Sequence, residues 1–391
     1  MNKRRARWGM FGYFFFLGVT IGLWAAGLPS LNDRLDLGPA RLGTVLLLVS
    51  VGALVSMLAA GHLVDRWSSR TMSRVAGPLC SLALLGPALA PDYLTLAVAA
   101  VVFGLGIGVV EVAINTHSVE VERLYGRPII SAFHGTWSLG GAVGGGITSL
   151  ALTARLDPQA LLVGGALVTP LLYLAMGGTL LPPPAREAKG EEAKGSGIRW
   201  GLVLVLGVAA FAGHLAEGAA MDWAALHTRT VLGGDPAIAP MAFTIFSTAM
   251  TVVRFLGDPI RARLGSVATI GLAGVVATAG YVLVLLSPVF GGTPLAWTGW
   301  GLAGVGLATV VPVIFSAVGA SGAAVGKALS LVTAFGYTGL LLGPAVLGFV
   351  AEETSLRVSL FIPAAFAAII AITGVPAVRE LTRRSRERVP V

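Results

Sequence analysis

Apolar runs near twenty residues recur from one end of the chain to the other, and each is long enough to cross a hydrocarbon core of about 30 Å. Reading them against their breakers gives twelve spans, at 8–31, 40–64, 72–90, 93–117, 128–154, 160–181, 199–223, 237–257, 267–287, 295–318, 327–350 and 357–378. Only 12% of the 391 residues are charged and 55% are hydrophobic, too few charges to cover a water-soluble protein of this size. The chain reads as an all-α polytopic membrane protein. Its start, "MNKRRARWGMFGYFFFLGVTIGLW", has the basic head and apolar core of a secretion signal. The core is long and further spans follow, so it reads as an uncleaved first span.

Lys and Arg in the short connections set the orientation, because cytoplasmic loops carry an excess of them. With both termini cytoplasmic, that side takes the head (Lys3, Arg4, Arg5, Arg7), Arg66, Arg70, Arg74, Arg123, Arg127, the middle linker, Arg254, Arg261, Arg263, Lys327 and the tail, 22 in all. The other side keeps 5: Arg34, Arg41, Arg155, Arg229 and Arg357. The net charge of +8 is thereby explained as a topology signal, without a nucleic-acid partner. Cys80 is the only cysteine, which excludes an intramolecular disulfide. Neither metal-ligand spacing nor a cofactor motif is found.

The stretch "PPPAREAKGEEAKGSG" is the only long polar interruption. It divides the chain into an N-terminal six-helix bundle (1–181), a cytoplasmic linker (182–198), a C-terminal six-helix bundle (199–378) and a basic cytoplasmic tail (379–391). A weak internal repeat supports the division. "GLGIGVV" in the fourth span answers "GLAGVGLATVVP" in the tenth, and "FHGTWSLGGAVGG" in the fifth answers "FGYTGLLLGPAVLG" in the eleventh. Repeated halves around a midplane site are a transporter's way of building two access states.

The loop after the second span, Gly61, Asp65, Arg66 and Arg70, resembles the Gly-x-x-x-Asp-Arg-x-Gly-x-Arg signature of the major facilitator superfamily. It departs at Ser68, where glycine is usual, and at Thr71. The second half keeps Asp258, Arg261 and Arg263. "GRPIISAFHGTWSLGG" (126–141), "EGAAMDWAA" (217–225) and "FGYTGLLLGPAVLGF" (335–349) resemble a bacterial inner-membrane branch related to the fucose–proton symporter group. The resemblance implies two pseudo-symmetric bundles that move a small solute by alternating access, commonly with protons. It does not extend to a substrate.

Charged side chains cost at least about 3 kcal/mol at the bilayer centre, so an acid within a span is a functional candidate by default. Three qualify. Glu111 shares one helical stripe with Gly108, Asn115 and Ser118; Glu217 lies a turn beyond His214; Asp222 follows, near the end of the same span. Burial disfavours the charged form of a carboxyl group, which lets it carry a proton through a dry state. Interhelical hydrogen bonding without transport is the plainer alternative for Glu111 and Glu217, and an interfacial position for Asp222. Asn115, His134, Trp137 and His214 are the candidate solute contacts, and His134 has the alternative of bonding a neighbouring backbone carbonyl. Asp65, Arg66, Arg70, Asp258, Arg261 and Arg263 form a candidate cytoplasmic latch, since an acid near a helix start pairs with arginines one turn away. Gly140, Gly141, Gly144 and Gly145, with Gly343 and Pro344 in the eleventh span, are small-residue seams that admit close helix contact.

These features together read as a monomeric secondary transporter of the inner membrane. Its partners are a small solute, protons and the lipid bilayer, and it needs no cofactor. A lipid flippase or scramblase on the same fold and a non-transporting solute sensor are the alternatives. No His-Glu-x-x-His or Gly-x-Ser-x-Gly element points to an enzyme. A cavity lined by carboxylates favours cationic or neutral solutes.

Overall fold

With no water in a bilayer core, backbone N–H and C=O groups must pair within each segment, so apolar runs of this length fold as helices. The computed structural model describes residues 3–125, 129–182, 200–319 and 325–387, and among the described residues there is no strand. Twelve helical passes follow one another in these residues. The first half has α1 (Lys3–Leu35), α2 (Gly38–Trp67), α3 (Ser69–Ala83, continued by Leu85–Leu89), α4 (Tyr93–Tyr125), α5 (Ile130–Thr153) and α6 (Pro158–Met176). In the second half α7 (Trp200–Leu226) ends in a π-turn over His227–Val231. Met241–Leu286 is broken at Gly265 into α8 (241–264) and α9 (266–286). The chain then forms α10 (Gly292–Leu307, continued by Val310–Gly319), α11 (Val325–Glu353) and α12 (Phe361–Glu387).

Ten segments are long and apolar enough to cross a membrane, and Met241–Gly257 adds a shorter apolar helix. Each expected span falls on one pass, and several helices outrun their apolar cores. Residues 183–199, which hold all of the expected linker but Pro182, and residues 388–391 at the tip of the tail lie outside the described residues.

The signature expected as a loop is helical. Gly61, Asp65 and Arg66 occupy the last turns of α2, Ser68 alone makes the turn, and Arg70 opens α3. Ser68 has φ 75° and ψ 150°, and Gly265 between α8 and α9 has φ 77° and ψ 158°. The two halves thus share one tight turn. A residue with a side chain is strained there by about 1–3 kcal/mol. Ser68 offsets part of that as the N-cap of α3, its Oγ accepting the Thr71 N–H at 3.3 Å.

Helix pairing repeats in the same way. α1 packs on α5 as α7 packs on α11, α2 on α4 as α8 on α10, and α3 on α6 as α9 on α12. At matching points the backbones touch: Gly104 of α4 lies against the Val49 carbonyl of α2, and Gly304 of α10 against the Phe246 carbonyl of α8. Between the halves the main contacts are α5 with α8 and α2 with α11.

Several ties between the halves cluster at the membrane face away from the amino terminus. Arg229 pairs with Asp33 at 3.2 Å, the Ala40 N–H donates to Glu352 Oε2 at 3.3 Å, and Ser149 Oγ donates to the Ala237 carbonyl. At the N-terminal face a cavity of about 610 Å³ opens, lined by Lys3, Arg4, Arg7, Trp8, Phe11 and Tyr125. Also at that end, buried His117 accepts the Leu181 N–H at Nε2 (3.0 Å), so its Nδ1–H faces Ser69 Oγ (2.8 Å) and Ser69 in turn donates to Glu120. This network, unforeseen from sequence, ties the end of the first half at Leu181 to α3 and α4.

Candidate functional site

Glycine at 18 and 140 lets α1 and α5 meet closely, and side chains from α7 and α8 come up to the same point. There Gly18 and Ile21 of α1, Trp137 and Ser138 of α5, Glu217 and Met221 of α7, and Phe246 and Met250 of α8 line a central pocket between the halves. The pocket is constricted to about 10 Å³, room for roughly one water molecule. An ion pair borders it. Arg254 Nη2 donates to Glu217 Oε1 at 2.9 Å, with side-chain exposures of 12% and 11%. Arg254 Nη1 donates to Ser138 Oγ at 2.6 Å, and its guanidinium lies 5.9 Å from the Trp137 ring centre.

Arg254 corrects the sequence reading, which counted it among cytoplasmic loop charges. α8 continues helically for ten residues beyond it, to residue 264, so the arginine lies inside the helix. It also changes the electrostatics: its charge cancels that of Glu217, so the pocket is not negatively lined. Ser138 went unread as well, although it stands beside Trp137 in the same glycine-rich stretch. The signal for Arg254 was present, an arginine inside an otherwise apolar run, and the positive-inside count absorbed it.

Of the sequence candidates, the structure brings Glu217 and Trp137 together at the pocket. The Trp137 indole nitrogen is buried without a hydrogen-bond partner among the described residues. His134 is one turn away, its ring 5.2 Å from Phe14, and its carbonyl accepts from Ser138 Oγ at 3.3 Å. The alternative in which its ring bonds a neighbouring helix carbonyl is not seen among the described residues. Glu111 and Asn115 pair with each other instead, Asn115 Nδ2 donating to Glu111 Oε2 at 2.9 Å along α4. His214 turns to α11: its ring lies against Gly336, and Nδ1 bonds the Ala210 carbonyl of its own helix at 2.9 Å. Asp222 is half-buried, next to pocket-lining Met221, and makes no hydrogen bond or ion pair among the described residues.

The latch candidates are placed at the N-terminal face. Asp65 and Arg66 are exposed, and no ion pair joins Asp65 to Arg66 or Arg70 among the described residues. Arg263 is exposed and Arg261 half-buried, while the Asp258 side chain lies outside the described residues. The glycines divide by partner. Gly140 and Gly144 meet the backbone of α1, whereas Gly141 and Gly145 meet Phe243 and its neighbours on α8. In α11, Gly343 packs on Leu215 of α7, and the Pro344 carbonyl approaches Gly43 of α2 across the halves.

The chain has relatives over nearly its whole length. An uncharacterized transporter of Sinorhizobium fredii is 34% identical over 382 residues, 95% of this chain and 98% of that protein. Among solved structures, the nucleoside transporter NupG superposes with a TM-score of 0.73 at 16% identity, covering 95% of this chain and 98% of that one. The E. coli Fucose:proton symporter FucP gives 0.61 at 18% identity, with 98% of both chains covered. These structures share the fold. The family model described as Major Facilitator Superfamily matches residues 9–324, and this multi-pass membrane protein therefore belongs to that superfamily of transporters.

Proposed function

We propose that the protein is a proton-coupled secondary transporter of the bacterial inner membrane, with both termini cytoplasmic, that moves a small solute by rocking its two six-helix bundles. The observation that carries this reading is the Glu217–Arg254–Ser138 chain at the pocket between the halves. While Glu217 is ionised it holds Arg254 on α8, and Arg254 reaches across to α5 of the other half. A proton on Glu217 removes the charge that orients the guanidinium and loosens that tie. Removing one member of a buried ion pair typically costs 3–5 kcal/mol, enough to bias two access states. Glu111, held by Asn115 within its own half, and Asp222, toward the sealed face, are the further proton sites. The solved structures that share the fold, a nucleoside transporter and a fucose–proton symporter, support a small solute and proton coupling.

Proteoliposomes containing the full chain and a pH-sensitive dye test the reading. Solutes are added as matched acid and neutral sugars, such as D-glucuronate with D-glucose and D-gluconate with D-sorbitol. The wild-type protein is expected to move protons with a solute. Glu217→Gln is expected to exchange that solute without moving protons, and Glu111→Gln to reduce the proton flux. A Glu217→Gln protein that drives protons as the wild type does removes Glu217 from the coupling.

A further inference from the structure

The basic cavity at the N-terminal face and the central pocket lie on one stripe of α1. Arg7, Phe11, Phe14, Gly18 and Ile21 follow each other at alternating steps of four and three, which places them on one face of the helix. Ring contacts join the steps. Arg7 lies over Phe11 (5.2 Å), Phe11 meets Phe133 (5.1 Å), and Phe14 meets Phe133 and His134 (5.7 and 5.2 Å). Gly18 and Ile21 then line the pocket beside Trp137 and Glu217. The mouth of this stripe is built from three cations and three aromatic rings, with no acid among its lining residues. Topology alone asks only for cations in water. It does not ask that Arg7 pack over both Phe11 and Tyr125 with its Nε buried and unbonded among the described residues.

At the inner end the cation is Arg254, occupied by a carboxylate of the protein itself. Resting on the proton switch proposed above, we infer that the solute is a carboxylate, and that it takes the place of Glu217 on Arg254 as Glu217 takes a proton. A planar guanidinium donates to a carboxylate from two nitrogens, and the pair is strongest out of water. The unbonded Trp137 indole N–H supplies a further donor at the same pocket. The pocket is too constricted to admit a solute while Glu217 holds Arg254, so binding and protonation are obligatorily linked. Anion and proton enter together and the site carries no added net charge through its closed state. Vestibule cations raise the local anion concentration before that step.

The charged and titratable groups around the pair are Arg254 on α8 and Tyr281 on α9 at Glu217 itself, His134 on α5 near Arg254, and His214 and Asp222 on the helix of Glu217, with Tyr337 of α11 beside His214. Among the described residues Arg254 alone bonds the Glu217 carboxylate, which makes that pair the switch.

The test measures thermal stabilisation of the full chain in detergent by D-glucuronate, D-galacturonate and D-gluconate against D-glucose, D-galactose and D-sorbitol. Linkage predicts that acid members bind more tightly as the pH is lowered, because a proton is taken up with the anion; their stabilisation is compared at about pH 5.5 and about pH 8. Neutral members are expected to have no effect. Glu217→Gln should bind the acid members equally at both pH values. Arg254→Lys, which keeps the charge and loses the fork, should bind them at least about tenfold more weakly. Lys3→Gln with Arg7→Gln should slow association and flatten its salt dependence while leaving the pH dependence intact. The inference falls if neutral members stabilise equally, if acid binding ignores pH in the wild type, if Glu217→Gln abolishes it, or if no acid member binds. A neutral sugar that moves with protons in the wild type and without them in Glu217→Gln would keep the proton switch and eliminate the anion.

Discussion

α5 carries two overlapping glycine seams one residue apart, and they do different things. A methyl group added at Gly140 would strike the Phe15 carbonyl of α1 and stand 3.0 Å from Gly18 Cα; at Gly144 it would meet the Val19 carbonyl and Leu23 nitrogen at 2.7 and 2.9 Å. Those are backbone atoms of a neighbour in the same half, and they cannot step aside. At Gly141 the same methyl would meet Phe243 at 3.4 Å and Ser247 at 3.6 Å, and at Gly145 it would meet Thr244 and Phe243. Those are side chains of α8 in the opposite half. One seam is fused within its half, and the other lies between the halves, the bearing surface of the proposed rocking motion. Alternating access needs both, because a half must move as a body while sliding on its partner.

The fused seam gives the largest expected effect. Gly140→Val should cost more than the ~1–3 kcal/mol of an ordinary overfilled core, since no side chain can move out of the way. The expected result is loss of monodisperse protein in detergent; a well-folded Gly140→Val protein would break the distinction at once. Next comes the sealed face, where the halves meet backbone to backbone: a methyl on Gly348 would stand 2.7 Å from Gly43 Cα and 2.7 Å from the Pro39 carbonyl. Gly348→Ala should fold and shift toward the state open at that face. A clash of about 1–3 kcal/mol corresponds to roughly a 5–150-fold change in the ratio of states. Spin labels at exposed Leu156 and Phe290, in a Cys80→Ala background, should report longer distances. Unchanged distances would mean that this contact does not set the state.

Much of this was legible. The spans, the two halves and Glu217 follow from hydropathy, from repetition and from the cost of a buried charge. The two glycine stripes were also visible in "SLGGAVGGG", but a stripe of small residues does not say which helix faces it. Arg254 was lost for a physical reason. An arginine within a turn or two of an apparent span end can reach water with its long stem, so hydropathy cannot separate a snorkelling arginine from a buried one. Only its low exposure and its bond to Glu217 decide between them. Asn115 misled in a different way. A polar residue four positions from an acid reads as a second pocket contact, yet that spacing is also the one at which two side chains on a helix bond each other, and the pair does so. The partner of His214, on α11, had no signature at all because it is a glycine, Gly336.

The bearing surface gives the smaller effects, and they should appear in transport before stability. Gly145→Ala pushes Thr244 and Phe243 into new rotamers and should cost on the order of 1 kcal/mol, with turnover lowered several-fold. Gly141→Ala sharpens the comparison most, because its contacts are already at ordinary van der Waals separation. Replacing glycine by alanine within a helix gains about 1 kcal/mol of propensity, and nothing rigid opposes it here. The melting temperature should therefore hold or rise. The added methyl nevertheless fills space between α5 and α8 beside the Arg254–Ser138 tie, where the halves must slide, so solute exchange should slow in the same protein. Stability and rate moving in opposite directions is the signature of a moving contact. If Gly141→Ala lost stability as Gly140→Val does, both seams would be structural, and the sliding surface between the halves would have to be sought at α2 and α11.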